Sequence, residues 1–218
     1  MRIICCHFFS SLGCGARALL LTFAFVFPVA MIGHYSHSLD LYRWGTFCAE
    51  PVWQGEVWRL ISYGFLPMGI VDWLVSLFWL TTLVCVLGRT WSGFELWSYC
   101  LLSTLVAGLL MTLLRQPTAC AIGGNGAMIL ALIAAWARLY GNERIILLGI
   151  GEMSVRQAAV IVSMVELLIL FFCLGWIVTL AMLCGGLAGW FYLFARGRNA
   201  MNRRSRLLDS ERIARLEI

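Results

Sequence analysis

The feature that most constrains this chain is a row of six apolar stretches, each close to the roughly 20 residues a helix needs to cross a bilayer. They run over approximately 17–33, 70–88, 94–114, 121–140, 157–173 and 175–195. Composition closes the soluble alternative: 61% of the 218 residues are hydrophobic and 12% are charged, against about 25% charged in an ordinary soluble domain. The expected fold is an all-α polytopic membrane protein with a cytoplasmic N-terminus (1–16), a six-helix membrane domain (17–195) and a basic cytoplasmic tail (196–218). The first stretch has the flanks of a signal peptide, with Pro28-Val29-Ala30 as a weak processing site. Further apolar stretches come after it rather than a secreted domain, so it reads as a span. Another apolar block, 145–150, lies too close to the fifth span to cross separately and is expected at the interface.

Arginine placement sets the orientation. With the N-terminus inside, Arg2, Arg17, Arg89, Arg138, Arg144, Arg156 and seven tail arginines are cytoplasmic, thirteen of the sixteen basic residues. Arg43, Arg59 and Arg115 remain outside, and the longest outer segment is the connection over 34–69. The tail reads either as an anchor on anionic lipid or as a partner-binding helix around Asp209–Ile218. Arginine without lysine suggests a GC-rich bacterial genome and hence a bacterial plasma membrane.

The missing residue types remove whole classes of chemistry. There is no lysine, and the histidines are His7, His34 and His37. Ser-Lys dyads, Schiff-base lysines, P-loop lysines and any histidine base beyond residue 37 are therefore excluded. Nine cysteines show no CxxC and no Cys/His ligand spacing, and HExxH is absent, so neither a metal nor a cofactor is expected. Cys48 and Cys120 both fall on the outer side, where an oxidising compartment would let them form a disulfide.

The outer connection is rich in Trp, Tyr, Phe and aliphatic residues, the pattern of a loop held at headgroup depth. Within it, Val57-Trp58-Arg59-Leu60-Ile61 sets an arginine among apolar neighbours. Its guanidinium needs backbone carbonyls or a carboxylate such as Glu56 or Glu50, and satisfying it would lock the loop.

Two glycine clusters permit close helix contact: Gly123-Gly124-Asn125-Gly126 at the head of the fourth span, and Gly185 with Gly189 as a GxxxG face in the sixth. At about 1.5 Å per residue, Asn125 and Met182 lie at one depth, with Asp72 and Ser76 at or just below the outer end of the second span. These four residues are expected to line one cavity open to the outer face. Glu166, near the middle of the fifth span, is an intramembrane carboxylate and so a functional candidate, either a buried structural acid or a proton site.

Val57-Trp58-Arg59-Leu60-Ile61-Ser62-Tyr63-Gly64-Phe65-Leu66 resembles the WR-containing first loop of rhomboid intramembrane serine proteases. Gly123-Gly124-Asn125-Gly126 resembles their GxSG, and Ala181-Met182-Leu183-Cys184-Gly185-Gly186-Leu187-Ala188-Gly189 their AHxxGxxxG helix. The resemblance covers about residues 40–195 and implies a six-helix rhomboid-like bundle with an interfacial first loop. It also implies a lateral opening between the second and fifth helices that admits a client transmembrane helix.

The departures fall on the chemistry. Asn125 stands at the serine nucleophile, Met182 at the histidine base, and Pro67, Asp72 and Ser76 at the second-helix positions that help hold the oxyanion. An amide is no acyl-transfer nucleophile, a thioether takes no proton near neutrality, and a carboxylate repels an oxyanion. The expected function is that of a pseudoprotease, similar in logic to the derlins, which binds transmembrane-helix clients. Its partners are then membrane lipid and client helices, not nucleic acid. In that reading Trp58 and Arg59 shape the loop, the glycines pack the fourth helix on the sixth, and Asp72 and Asn125 meet the client. Two alternatives stay open: an active rhomboid-type endopeptidase using unusual residues such as Cys184, and a transporter or channel with Glu166 as its proton site.

Overall fold

The computed structural model describes residues 13–35, 40–114, 122–147 and 151–216. In chain order, α1 (Cys14–Tyr35) leads into a connection built from α2 (Leu41–Gly45), α3 (Ala49–Trp53), α4 (Arg59–Ser62) and a 3-10 turn (Tyr63–Phe65). Then come α5 (Ile70–Leu87), α6 (Gly93–Leu113), α7 (Gly126–Tyr140), the hairpin strands β1 (Arg144–Leu147) and β2 (Gly151–Ser154), α8 (Val155–Leu174) and α9 (Trp176–Leu216). Among the described residues α1, α5, α6, α8 and the Trp176–Gly197 part of α9 are long and apolar enough to cross a bilayer, and α7 is a shorter apolar helix. The molecule is an all-α polytopic membrane protein carrying one small antiparallel hairpin, with Arg144 opposite Ser154. That hairpin occupies the region where the sequence suggested only an interfacial apolar block.

Local sequence explains the helix starts. Ser92 and Glu95 form a reciprocal capping box at α6, and Ser154 and Gln157 another at α8, each satisfying backbone N–H groups that no helical turn reaches. At α5, Asp72 sits in the first turn and accepts from the Met68 N–H at 3.0 Å, placing a negative charge at the positive end of the helix. A single residue, Gly175 at φ +85°, separates α8 from α9.

α7 is the central element. Every residue from Asn125 to Ile133 is buried, as a helix apolar on all sides requires. It packs against α5, α6, α8 and α9. It begins at Gly126 rather than at about 121, because Gly124 takes a left-handed φ of +118° and Ile122 pairs its backbone with Phe47 of the outer connection. Its 15 residues span about 22 Å, short of the roughly 30 Å of hydrocarbon.

The outer connection does more than lie on the surface. Trp44, Trp53, Val57 and Trp58 are exposed, as an interfacial loop should be, but the chain then descends along α6. A Cβ on Gly108 would strike the Leu60 backbone, one on Gly64 would strike Thr104, and Phe65 stacks on Trp97 at 5.9 Å. Thr104 is nine residues inside the Leu113 end of α6, so the loop dips by about 13 Å. Irregular backbone is tolerated at such depth where protein encloses it. One apolar cluster lies beneath this wedge (Phe47, Leu60, Tyr63, Met111, Leu170, Met182), and a second fills the other end (Leu19, Phe23, Leu83, Leu96, Tyr99, Leu132).

The helices around α7 do not form a closed ring. α5 packs on α1 and α7, and α8 on α7 and α9, while α5 and α8 make at most marginal contact with one another. Both flanking helices carry large exposed apolar side chains, Val71 and Phe78 on α5 and Val165 and Phe172 on α8. The expected Cys48–Cys120 disulfide lies outside the described residues, since Cys120 does.

Candidate functional site

Arg59 organises the loop. It is 6% exposed, and its guanidinium donates to the Thr46 carbonyl at 2.8 Å, to the Arg43 carbonyl at 2.8 Å and to Glu56. Glu50 is not among these partners. The planar five-donor fork suits three acceptors at once, and it ties α4 to α2 and to the turn that follows α3. Trp58 is half-exposed and donates its indole N–H to the Trp44 carbonyl at 3.2 Å, bracing the same loop from outside. Tyr63, fully buried, reaches down to the Thr104 carbonyl at 2.9 Å, and its own carbonyl accepts from the Gly124 N–H at 3.1 Å. The wedge is thus bonded both to α6 and to the strand-like entry of α7.

Below it lies the polar network. The Ser76 hydroxyl donates to Asn125 Oδ1 at 2.8 Å and stands 3.3 Å from Asp72 Oδ1. Ser76 is six residues into α5, about 9 Å below Ile70, which fixes the depth of Asn125 inside the bundle. Asn125 is 3% exposed, and its Nδ2 has no hydrogen-bond partner among the described residues. Pro67 is buried above, its carbonyl accepting from the Tyr42 hydroxyl at 3.0 Å. The Tyr42 phenol is pushed above its ordinary value, first by burial and then by the charge of Asp72. Glu166 stands on α8, the helix on the other side of the gap.

Met182 is fully buried, in the apolar cluster under the loop, and takes no part in this network. Its level is set by the contacts one turn further along α9. A Cβ on Gly185 would lie 2.5 Å from the Ser103 carbonyl and 2.9 Å from the Ala127 Cβ, and one on Gly189 would lie 2.8 Å from the Tyr99 hydroxyl. With Gly185 against Ala127, Met182 comes level with the Gly124–Asn125 entry. Gly123 and Gly126 serve the same entry: the first abuts the Leu66 carbonyl and Met68, the second Leu170. Asp72, Ser76 and Asn125 are therefore joined directly, Pro67 is bonded to Tyr42 of the loop, Met182 belongs to the apolar cluster and Glu166 stands on α8.

Sequence reading missed Tyr42, Thr46 and Tyr63. All three stand in the aromatic-rich connection that suggested a surface loop, and the available signal was the number of carbonyls a buried Arg59 must find.

A polytopic helical membrane protein with a buried polar network beneath a re-entrant loop is the class that this fold and site define. The chain belongs to the family described as "Eukaryotic integral membrane protein (DUF1751)", which its residues 12–203 match. No curated protein matches the chain. Membership of a eukaryotic family overturns the bacterial inner-membrane assignment suggested by arginine usage. Preference for arginine over lysine tracks nucleotide composition and carries no information about the kind of cell. What stands is a multi-pass integral membrane protein.

Proposed function

We propose that this chain is a catalytically inactive rhomboid-like pseudoprotease that binds transmembrane helices of client proteins, with both termini cytoplasmic. The observation that carries the reading is the gap between α5 and α8, two helices that flank α7 without closing over it, with the Asp72–Ser76–Asn125 network at its inner wall. Exposed apolar side chains on both flanking helices suit a lipid-soluble helix as occupant. Asn125 and Met182 at the positions of nucleophile and base provide neither attack nor proton transfer. Asp72 would oppose a developing oxyanion. The client is held by its apolar face, and its polar or helix-breaking residues meet Asp72 and Asn125.

The test uses a model rhomboid substrate in membranes carrying the natural chain, the Asn125→Ser/Met182→His variant or the Asn125→Ala variant, scoring cleavage and photocrosslinking together. Crosslinking without cleavage by the natural chain supports binding, and gain of cleavage in the double variant supports the alignment of positions. Cleavage by the natural chain that survives Asn125→Ala would overturn the reading and direct attention to Cys184. If replacing both Asp72 and Asn125 by alanine leaves crosslinking unchanged, the cavity is not where the client sits.

A further inference from the structure

At the end of the bundle away from the re-entrant loop, a groove of about 510 Å³ opens between α7, α8 and α9. Arg138 of α7 and Arg156 of α8 stand at its mouth, and its floor includes Ala134, Ser163, Leu167 and Trp190. A narrower hollow of about 330 Å³ shares that floor and continues along α7 to Leu130. From Arg138 to Leu130 the slot is about 12 Å long. It is charged at one end and mostly apolar along its length, with the Ser163 hydroxyl and the Trp190 indole among its lining groups.

Both arginines are exposed, and neither forms an ion pair or hydrogen bond with any described residue. Two other guanidiniums behave differently: Arg59 holds Glu56, and Arg196 of α9 holds Glu95 of α6. A positive-inside signal accounts for an arginine at this end of a span, but not for two from different helices meeting unpartnered at one cavity mouth. The groove opens beside Val160 and Met164, each 59% exposed on the lipid-facing side of α8.

We infer that this groove is a binding site for one anionic glycerophospholipid of the adjoining leaflet. Its phosphate sits between Arg138 and Arg156, and an acyl chain lies in the slot over Leu167 and Trp190. Guanidinium forks match phosphate oxygens bidentately, and basic clefts between transmembrane helices suit such headgroups. The site lies at the opposite end of α7 from the client opening and does not depend on the pseudoprotease reading.

The experiment is native mass spectrometry of the full chain in detergent, titrated with dioleoylphosphatidic acid or dioleoylphosphatidylcholine. The natural chain is expected to retain one phosphatidic acid at least about tenfold more tightly than phosphatidylcholine, the size of one good charge-assisted contact. Arg138→Gln/Arg156→Gln should erase that preference. Arg144→Gln, which removes a positive charge from an exposed side chain at the same end but outside the groove, should leave it intact. All three glutamine replacements are at exposed positions, and circular dichroism verifies the fold. Ser163→Leu, which fills the slot with the arginines in place, should weaken retention. Equal retention of the two lipids, or an Arg144→Gln loss as large as that of the groove pair, overturns the proposal. Displacement of the lipid by millimolar inorganic phosphate would likewise overturn it, since the slot would then contribute nothing.

Discussion

The Ser76 hydroxyl donates to Asn125 Oδ1 across 2.8 Å, joining α5 to the buried head of α7. A hydroxyl has one proton, so Ser76 serves Asn125 and Asp72 alternately, while the amide Nδ2 of Asn125 finds no acceptor among the described residues. A network in this condition is coupled.

Ser76→Ala is expected to destabilise the protein by about 1–2 kcal/mol, because it orphans the Asn125 oxygen. Ser76→Ala/Asn125→Ala should cost less than the two single changes added together, with a coupling of about 1 kcal/mol. Reversible unfolding in mixed micelles measures the cycle, and strict additivity would refute the coupling.

Arg59 cannot be replaced by the other cation. Lysine has no planar fork to reach Thr46, Arg43 and Glu56 together, so Arg59→Lys should lose most of what Arg59→Ala loses, about 2–3 kcal/mol. Limited proteolysis of the outer connection should accelerate in both variants. Glu56→Gln, which keeps an acceptor and sits in a half-exposed position, should be mild.

The glycines of α9 differ sharply in tolerance. Gly185→Val drives a side chain into the Ser103 carbonyl and Ala127, and Gly189→Val into Tyr99, so each should prevent stable folding or lower the melting temperature strongly. Nothing stands within 4 Å of a Cβ on Gly197, and Gly197→Ala should be neutral or stabilising by up to about 1 kcal/mol. Thermal melts of the three variants decide it.

Alkaline titration reports on the loop beside Asp72. Burial and then Asp72 raise the Tyr42 phenol, so its folded form prefers the proton. The stability it contributes is complete below the ordinary tyrosine value and disappears as pH climbs through the raised one. Asp72→Asn should lower the Tyr42 transition part of the way, burial remaining. Ultraviolet difference spectra against Tyr42→Phe isolate the signal, and an unmoved transition would show that Asp72 does not reach it.

Much of this arrangement was legible in the residues. A buried arginine amid apolar neighbours demanded carbonyls and a carboxylate, and Glu56 stood three positions away. Ser92-Gly-Phe-Glu95 and Ser154-Val-Arg-Gln157 spell out capping boxes and mark two helix starts. The start of α7 was not legible from hydropathy, because a non-helical Ile122–Asn125 entry offers no more polar signal than another helical turn. What ended the helix there was a left-handed Gly124 and a backbone partner 75 positions earlier, at Phe47. Tyr63 was hidden by the tendency of aromatic loops to lie at headgroup depth, and its descent is set by small neighbours on α6. Arg138 and Arg156 read as orientation signals, since a shared cavity mouth is a property of two helices and not of either sequence.

The one-residue link at Gly175 bears on which side of the opening moves. α5 is wedged between α1 and α7 and stacks Trp73 on Phe27 at 5.2 Å, whereas only 17% of the apolar window of α8 is buried. α8 hangs between a two-stranded hairpin at one end and a lone left-handed glycine at the other. That asymmetry predicts that any widening of the opening comes from a swing of α8 about Gly175, a door leaf on a single hinge pin, with α5 as the fixed jamb.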